Sequence, residues 1–161
     1  MPELRSASIA LVVLDLAGVR FALPIESVER ITPAAELTPL PGSPALVGGV
    51  INVAGAILPV LDLRSRFGIA ASPLDPRQQF ALVATSRRRL VLLVDDAEGV
   101  AEYDVAAIDE ARRDAQDLDH LLGVLRLPDG VLLIHDPERF LSAGENRELA
   151  DALQRRSATH G

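Results

Sequence analysis

Adjacent carboxylates, Asp95 and Asp96, follow the apolar run Leu90 to Val94. Such a pair can split its pKa values for acid/base work or hold a divalent cation. Neighbours on a strand point to opposite faces, so the commoner use is to cap a turn. His120, His135 and His160 share no short metal-ligand spacing, and His135-Asp136 reads as a strand end followed by a helix cap. Arg87-Arg88-Arg89 offers three cations to a phosphate or to the rim of an acidic partner; in an acidic chain it reads as a solvated hairpin tip. Gly48-Gly49 and Gly55 lack the Gly-Lys-Ser/Thr of a Walker loop and the long following helix of a dinucleotide fingerprint. No Gly-x-Ser-x-Gly elbow occurs, and the absence of cysteine removes a thiol nucleophile and disulfide staples. These residues predict a protein that is not an enzyme and needs no metal or cofactor. The alternative they leave open is a small metal-dependent barrel enzyme built on Asp95 and Asp96.

The 161 residues suit one domain, or two small barrels sharing a core. Apolar residues make up 48%, enough for a core, but only 3% are aromatic, so that core must be aliphatic. Sixteen basic against 23 acidic residues give a net charge of −7, which argues against nucleic acid and anionic membranes and for protein partners. The apolar run Ile9 to Leu14 stops at Asp15 with no small-residue cleavage site after it, so it reads as a first strand and not a signal peptide. No segment reaches the ~20 apolar residues of a membrane span, and a cytoplasmic protein is expected.

The elements are organised around Gly48 to Phe67, GGVINVAGAILPVLDLRSRF. Gly49 to Val53 and Ala56 to Leu61 are apolar runs separated by the turn Ala54-Gly55, so they form a hairpin. Pro59 has no N–H to donate, which places it at a sheet edge or bulge where a partner can dock. Asp62 caps a helical turn, Leu63 to Phe67, that Gly68 ends. Before this block, Ile9 to Leu16 and Val19 to Leu23 form a hairpin around Ala17-Gly18. Ile25, Val28 and Ile31 fit either a helical turn or a twisted strand. Thr32 to Pro44, with four prolines, is an extended spacer ending in the turn Ala45-Leu46-Val47.

After the block, Ala70 to Gln78 is a loop, Gln79 to Ser86 and Leu90 to Val94 pair as strands, and Glu98 to Asp104 adds another. Ala106 to Asp119 has the composition of a short exposed helix or ordered loop. Leu121 to Leu127 and Val131 to His135 flank the turn Pro128-Asp129-Gly130. Asp136-Pro137 opens a helix running to about Ser142. Ser142 and Glu145 make a capping box for a last helix with the apolar stripe Leu149, Ala150 and Leu153, its tail fraying from about 155. Nine or ten short strands without long helices between them indicate barrels, not a doubly wound sheet.

The stretch from Ser43 to Gly55, SPALVGGVINVAG, followed by Leu58-Pro59-Val60-Leu61-Asp62-Leu63-Arg64, resembles the CheW coupling proteins of bacterial chemotaxis. Phe21 to Ile25, Val28 to Ile31, Val94 to Asp96 and Gly123 to Leu141 extend the resemblance from about Ile9 to Leu153. It implies a single domain, residues 1–161, that is mainly β: two SH3-like five-stranded barrels sharing an apolar core, with short helices at corners and C-terminus. It also implies a non-enzymatic adaptor in a chemosensory array, joining the regulatory domain of a CheA-type histidine kinase to a chemoreceptor's cytoplasmic tip. Ring contacts with CheW-like neighbours are a further expectation. The receptor groove is expected at Ile25, Val28, Arg30, Gly49, Ala54 and Val100. The kinase-binding or hairpin edge is expected at Val50, Ile51, Asn52, Val53, Gly55, Pro59 and Asp62. Ile25 and Val28 can equally be core residues. Two positions depart from the family: an arginine is usual where this chain has Ala54, and an acid where it has Arg30. A module that binds the kinase but no conventional receptor is therefore the alternative.

Overall fold

The computed structural model describes residues 7–110 and 121–160. The chain opens with β1 (Ser8–Leu16) and β2 (Val19–Pro24), turns through a 3-10 helix at Ile25–Ser27, and continues as β3 (Val28–Pro33). The open segment Ile25 to Ile31 is thus both a helical turn and a strand. The proline-rich spacer leads to β4 (Val47–Val53) and β5 (Ala56–Leu61), then β6 (Gln79–Ala84), β7 (Arg89–Val94) and β8 (Asp96–Asp104). After β9 (Ile108–Glu110) come β10 (Leu121–Leu127), β11 (Gly130–His135) and the helix α1 (Ala143–His160). Within the acidic stretch from Ala106, residues 108–110 are a strand, and 111–119 lie outside the described residues.

These strands form two sheets, ordered β8-β1-β2-β11-β10-β9 and β3-β6-β7-β5-β4. The first has six strands, not the expected five, because β9 pairs along β10 through Ile108, Asp109 and Glu110. Alternation along each strand sorts the aliphatic residues into three layers. Leu11, Val13, Ala22, Leu125, Leu132 and Ile134 fill one barrel, and Leu58, Val60, Phe80, Leu82, Val91 and Leu93 fill the other. The opposite faces of the same strands meet in a third layer, with Leu14, Phe21 and Leu23 from one sheet against Val83, Leu92 and Leu61 from the other. The near-continuous apolar runs of β1, β6 and β7 are explained by burial on both faces. The fold is mainly β, two SH3-like barrels across a shared apolar core.

Three of the chain's four phenylalanines sit in that shared layer around the buried His135. Phe21 lies 5.5 Å, Phe67 5.4 Å and Phe140 5.9 Å from its ring. α1 covers the same layer with Leu149 and Ala152, while Ala150, expected on the stripe, faces solvent. Its start is the reciprocal capping box: Ser142 N–H donates to Glu145 Oε1 at 2.8 Å, and Glu145 N–H to Ser142 Oγ at 3.1 Å. The helix expected from Asp136 is shorter, a 3-10 turn at Pro137–Arg139 capped by the Asp136 carboxylate.

Pro59 corrects the edge expectation. β5 is an interior strand between β4 and β7, and the sheet edge is β4. Val50, opposite Pro59, directs its N–H and C=O away from β5 to Thr38, at 2.8 and 2.9 Å. The Val50–Pro59 pair is therefore not hydrogen-bonded, and the proline nitrogen faces β7, whose pairing with β5 begins only at Val60. A missing N–H costs nothing at that position, and the proline is buried inside the sheet.

Candidate protein-docking site

Asp95 and Asp96 do not act as a pair. Asp95 sits where the chain passes from β7 to β8. Its carboxylate accepts Ala17 N–H at 2.6 Å from the β1–β2 turn and Gln78 Nε2–H at 2.8 Å from the loop before β6. Asp96 is exposed, in register with Asp15. Among the described residues no group of three or more His, Asp or Glu side chains is placed to hold a metal. Asp95 thus ties a turn of one barrel to a loop of the other.

Ile25, Val28 and Val100, the apolar residues expected in a groove, lie in the β2–β3 turn, on β3 and on β8. Val12 is in register with Leu23 on one side and Val100 on the other, so all three share the face that enters the shared core. Val12 and Leu23 are buried there, but Val100, on the edge strand β8, remains 58% exposed. Ile25, just past Pro24, is 39% exposed, and Val28 packs half-buried against the same layer. Among the described residues the strand path crosses between sheets at two places, Ile25–Ser27 and Asp95. Ile25 and Val28 lie at the first crossing, and Val100 lies on β8 just after the second.

The other three expected groove residues, Arg30, Gly49 and Ala54, lie on the second barrel. Arg30 is exposed on β3, in register with Leu82, and has no ion-pair partner among the described residues. Its neighbour Glu29, extruded at a bulge, holds Arg89 instead, with Nε–Oε1 at 3.0 Å and Nη2–Oε2 at 2.9 Å. That contact raises the Arg89 pKa. Ala54 is exposed at the β4–β5 turn; β3 and β4 are the two edges of one sheet. Gly49 has a packing reason to be glycine. Its φ is +151°, and an added Cβ would lie 2.6 Å from the Thr38 carbonyl oxygen, where the spacer crosses β4.

Of the residues expected on the kinase or hairpin edge, Val50 and Pro59 are buried, and Ile51 and Val53 are half-buried over the second barrel's interior. Asn52 Oδ1 accepts Gly55 N–H at 2.8 Å and so stabilises the turn. Asp62 caps the 3-10 turn Leu63–Ser65 and chelates the Arg64 guanidinium, with Nε at 2.9 and 3.0 Å from its two oxygens. Arg64 is the functional-looking side chain that sequence reasoning passed over. It is buried, its pKa is raised by the hydrogen bond to Asp62, and its far end holds the Ser72 hydroxyl and carbonyl. The Asp-x-Arg spacing at a helical turn was its only signal.

Two aliphatic barrels joined across a common core, with Asp62, Asp95 and Asp136 engaged in caps and latches, have the architecture of a scaffold. The chain belongs to the CheW-like family: residues 10–145 match the CheW-like domain. It is similar to a probable chemotaxis protein CheW of Rhizobium etli, 29% identical over 140 residues that cover 84% of this chain and 89% of the relative. The protein FrzA of Myxococcus xanthus is 32% identical over 113 residues, covering 69% of this chain and 70% of that protein. The solved structure of the scaffolding protein TtCheW from Thermoanaerobacter tengcongensis matches with a TM-score of 0.77 and 24% identity, over 86% of this chain and 96% of that one, which establishes a shared fold. This is a CheW-family scaffold of chemotaxis-type signalling. No described helix is long and apolar enough to cross a membrane.

Proposed function

We propose that this chain couples the cytoplasmic tip of a chemoreceptor to the regulatory domain of a CheA-type histidine kinase, as a cytoplasmic adaptor that does no chemistry of its own. The observation that supports the reading is the exposure of the apolar Ile25 and Val100, with Val28 half-buried over the shared layer. A partner helix laid across them would bury three aliphatic side chains at once, and in such interfaces a few anchors dominate the affinity. Signal transfer would then be a bias on how receptor and kinase are held. The kinase would meet the β4–β5 hairpin through its accessible members, Ile51, Asn52 and Val53, because Val50 and Pro59 are committed to the interior.

A second reading, that the chain binds the kinase but no conventional receptor, is favoured by Arg30 and Ala54. Removing one partner of a charge pair across a buried interface costs about 2–5 kcal/mol. That is enough to turn micromolar binding into millimolar binding. Titrating the full chain separately against a kinase regulatory domain and a receptor tip distinguishes the two. Binding to both supports the coupler, binding to the kinase alone supports the second reading, and binding to neither at millimolar concentration refutes both. Arg30→Glu with Ala54→Arg should strengthen binding to a conventional receptor tip; no gain would mean the groove is shaped for another partner.

A further inference from the structure

The β6–β7 hairpin tip carries three successive arginines, which the fold treats differently. Arg89 is neutralised by Glu29 in a two-point contact. Arg87 and Arg88 have no carboxylate partner among the described residues; they line a small pocket with Leu90, Glu138, Leu141 and Asn146, against the start of α1. Arg88 Nε–H is buried and meets no acceptor among the described residues. Burial lowers the Arg88 pKa, and the adjacent Arg87 charge lowers it further. Buried donors in folded proteins are nearly always satisfied, and a charge-assisted hydrogen bond to an anion is the strongest way to satisfy a guanidinium N–H at a pocket wall.

The tip is also rigid. Thr85 Oγ1–H donates to the Arg88 carbonyl at 2.7 Å and Arg88 N–H donates back to Thr85 Oγ1 at 3.1 Å. Ser86 N–H and Oγ–H donate to the two Glu138 oxygens at 2.7 and 2.6 Å, pinning the tip to the segment before α1. A hairpin tip held in this way loses little backbone freedom on binding. Two guanidinium charges against one Glu138 carboxylate leave a single positive charge, which suits a carboxylate better than a phosphate dianion. The cavity is about 10 Å³, room for one water-sized group, so it admits a single carboxylate oxygen and not a whole metabolite.

We propose that Arg87 and Arg88, with the pocket between the hairpin tip and α1, form a docking site for one carboxylate, the Asp or Glu side chain of an acidic segment on a protein partner. None of its residues is Ile25, Val28 or Val100, so it stands whether or not those three receive a receptor.

The test is NMR of the full chain, following the arginine Nε–H signals during titration with an acetylated, amidated peptide of alternating Glu and Gly. A Gln-Gly peptide and inorganic phosphate are the parallel arms. The Glu peptide should shift the Arg88 Nε–H signal saturably, with the effect lost at high salt, while the Gln peptide leaves it in place. Arg88→Gln should weaken peptide binding about tenfold or more, and Arg126→Gln, at an exposed arginine on β10, should leave it unchanged. If Arg88→Gln fails to fold, Arg88→Lys keeps the charge, loses the planar fork, and should still weaken binding about threefold or more. No shift with the Glu peptide, an equal shift with the Gln peptide, or tighter binding of phosphate than of peptide would overturn the proposal.

Discussion

Replacing Ala54 with glycine should stabilise this protein, although it removes a side chain and touches nothing else. Ala54 has φ +51° and Gly55 φ +90°, the two-residue type I′ turn that matches strand twist; Ala17 and Gly18 repeat it in the other barrel at +53° and +82°. A Cβ in the left-handed region costs about 1–2 kcal/mol, and glycine returns about 0.5–1 kcal/mol through the freedom it has in the unfolded chain. The net gain for Ala54→Gly is therefore about 0.5–1 kcal/mol. For a chain of this size that raises the thermal midpoint by about 1–4 °C. Ala17→Gly should add independently, since the two turns belong to different sheets. Urea unfolding of both single variants and the double variant measures the effect, with Ala56→Gly as control. Ala56 lies on β5 one residue beyond the turn, where glycine should cost stability. A lowered midpoint for Ala54→Gly, or equal behaviour of Ala54→Gly and Ala56→Gly, would refute the conformational argument.

Gly49→Ala should destabilise by about 1–3 kcal/mol in the same assay, because the added methyl meets the Thr38 carbonyl and the spacer must shift away from β4. Asp95→Ala leaves the buried Gln78 amide without its acceptor and should cost about 1–3 kcal/mol, whereas Asp96→Ala should stay within about 0.5 kcal/mol. Equal losses would mean the two carboxylates do act together. Val28→Asp should abolish receptor-tip binding and lower the thermal midpoint modestly, since Val28 is half-buried against the shared core; unchanged binding would remove it from the groove. The Arg77 hydrogen bond lowers the Asp75 carboxyl pKa to about 2. Because the folded value lies below the unfolded one, its contribution to stability is present above about pH 4 and is lost as pH falls through about 2. A carbon-detected NMR titration should place the Asp75 midpoint near 2, and Arg77→Gln should move it up toward the ordinary carboxylate value.

Hairpins and caps were legible because they depend on neighbours in sequence. Ala17-Gly18, Ala54-Gly55 and Pro128-Asp129-Gly130 announce their turns, and Ser142 with Glu145 announces the start of α1. The apolar runs Ile9 to Leu14 and Leu90 to Val94 also declared strands, and their burial on both faces came from the structure. The accessible side of the candidate site was harder to read. Val50 and Ile51 are equally apolar, and only the pairing of β4 with β5 and the crossing of the spacer decide that Val50 is inside. Pro59 looked like an edge residue because missing donors usually lie at edges; the local gap between β5 and β7 supplied another solution. Val100 sits in an acidic strand, and only its register with Val12 brings it to the face of the shared core.

Local chemistry along the chain therefore determined the hairpins, the turns, the aliphatic character of the core and the family. Which apolar residue is exposed, which carboxylate is tied up, and which arginine is left without a counter-charge were decided by tertiary packing. Arg87, Arg88 and Arg89 are identical in sequence terms, and Glu29, sixty residues before Arg89, sets one of them apart. Charge pairing and burial depend on distances between remote segments, and those distances exist only once the two sheets have closed on each other.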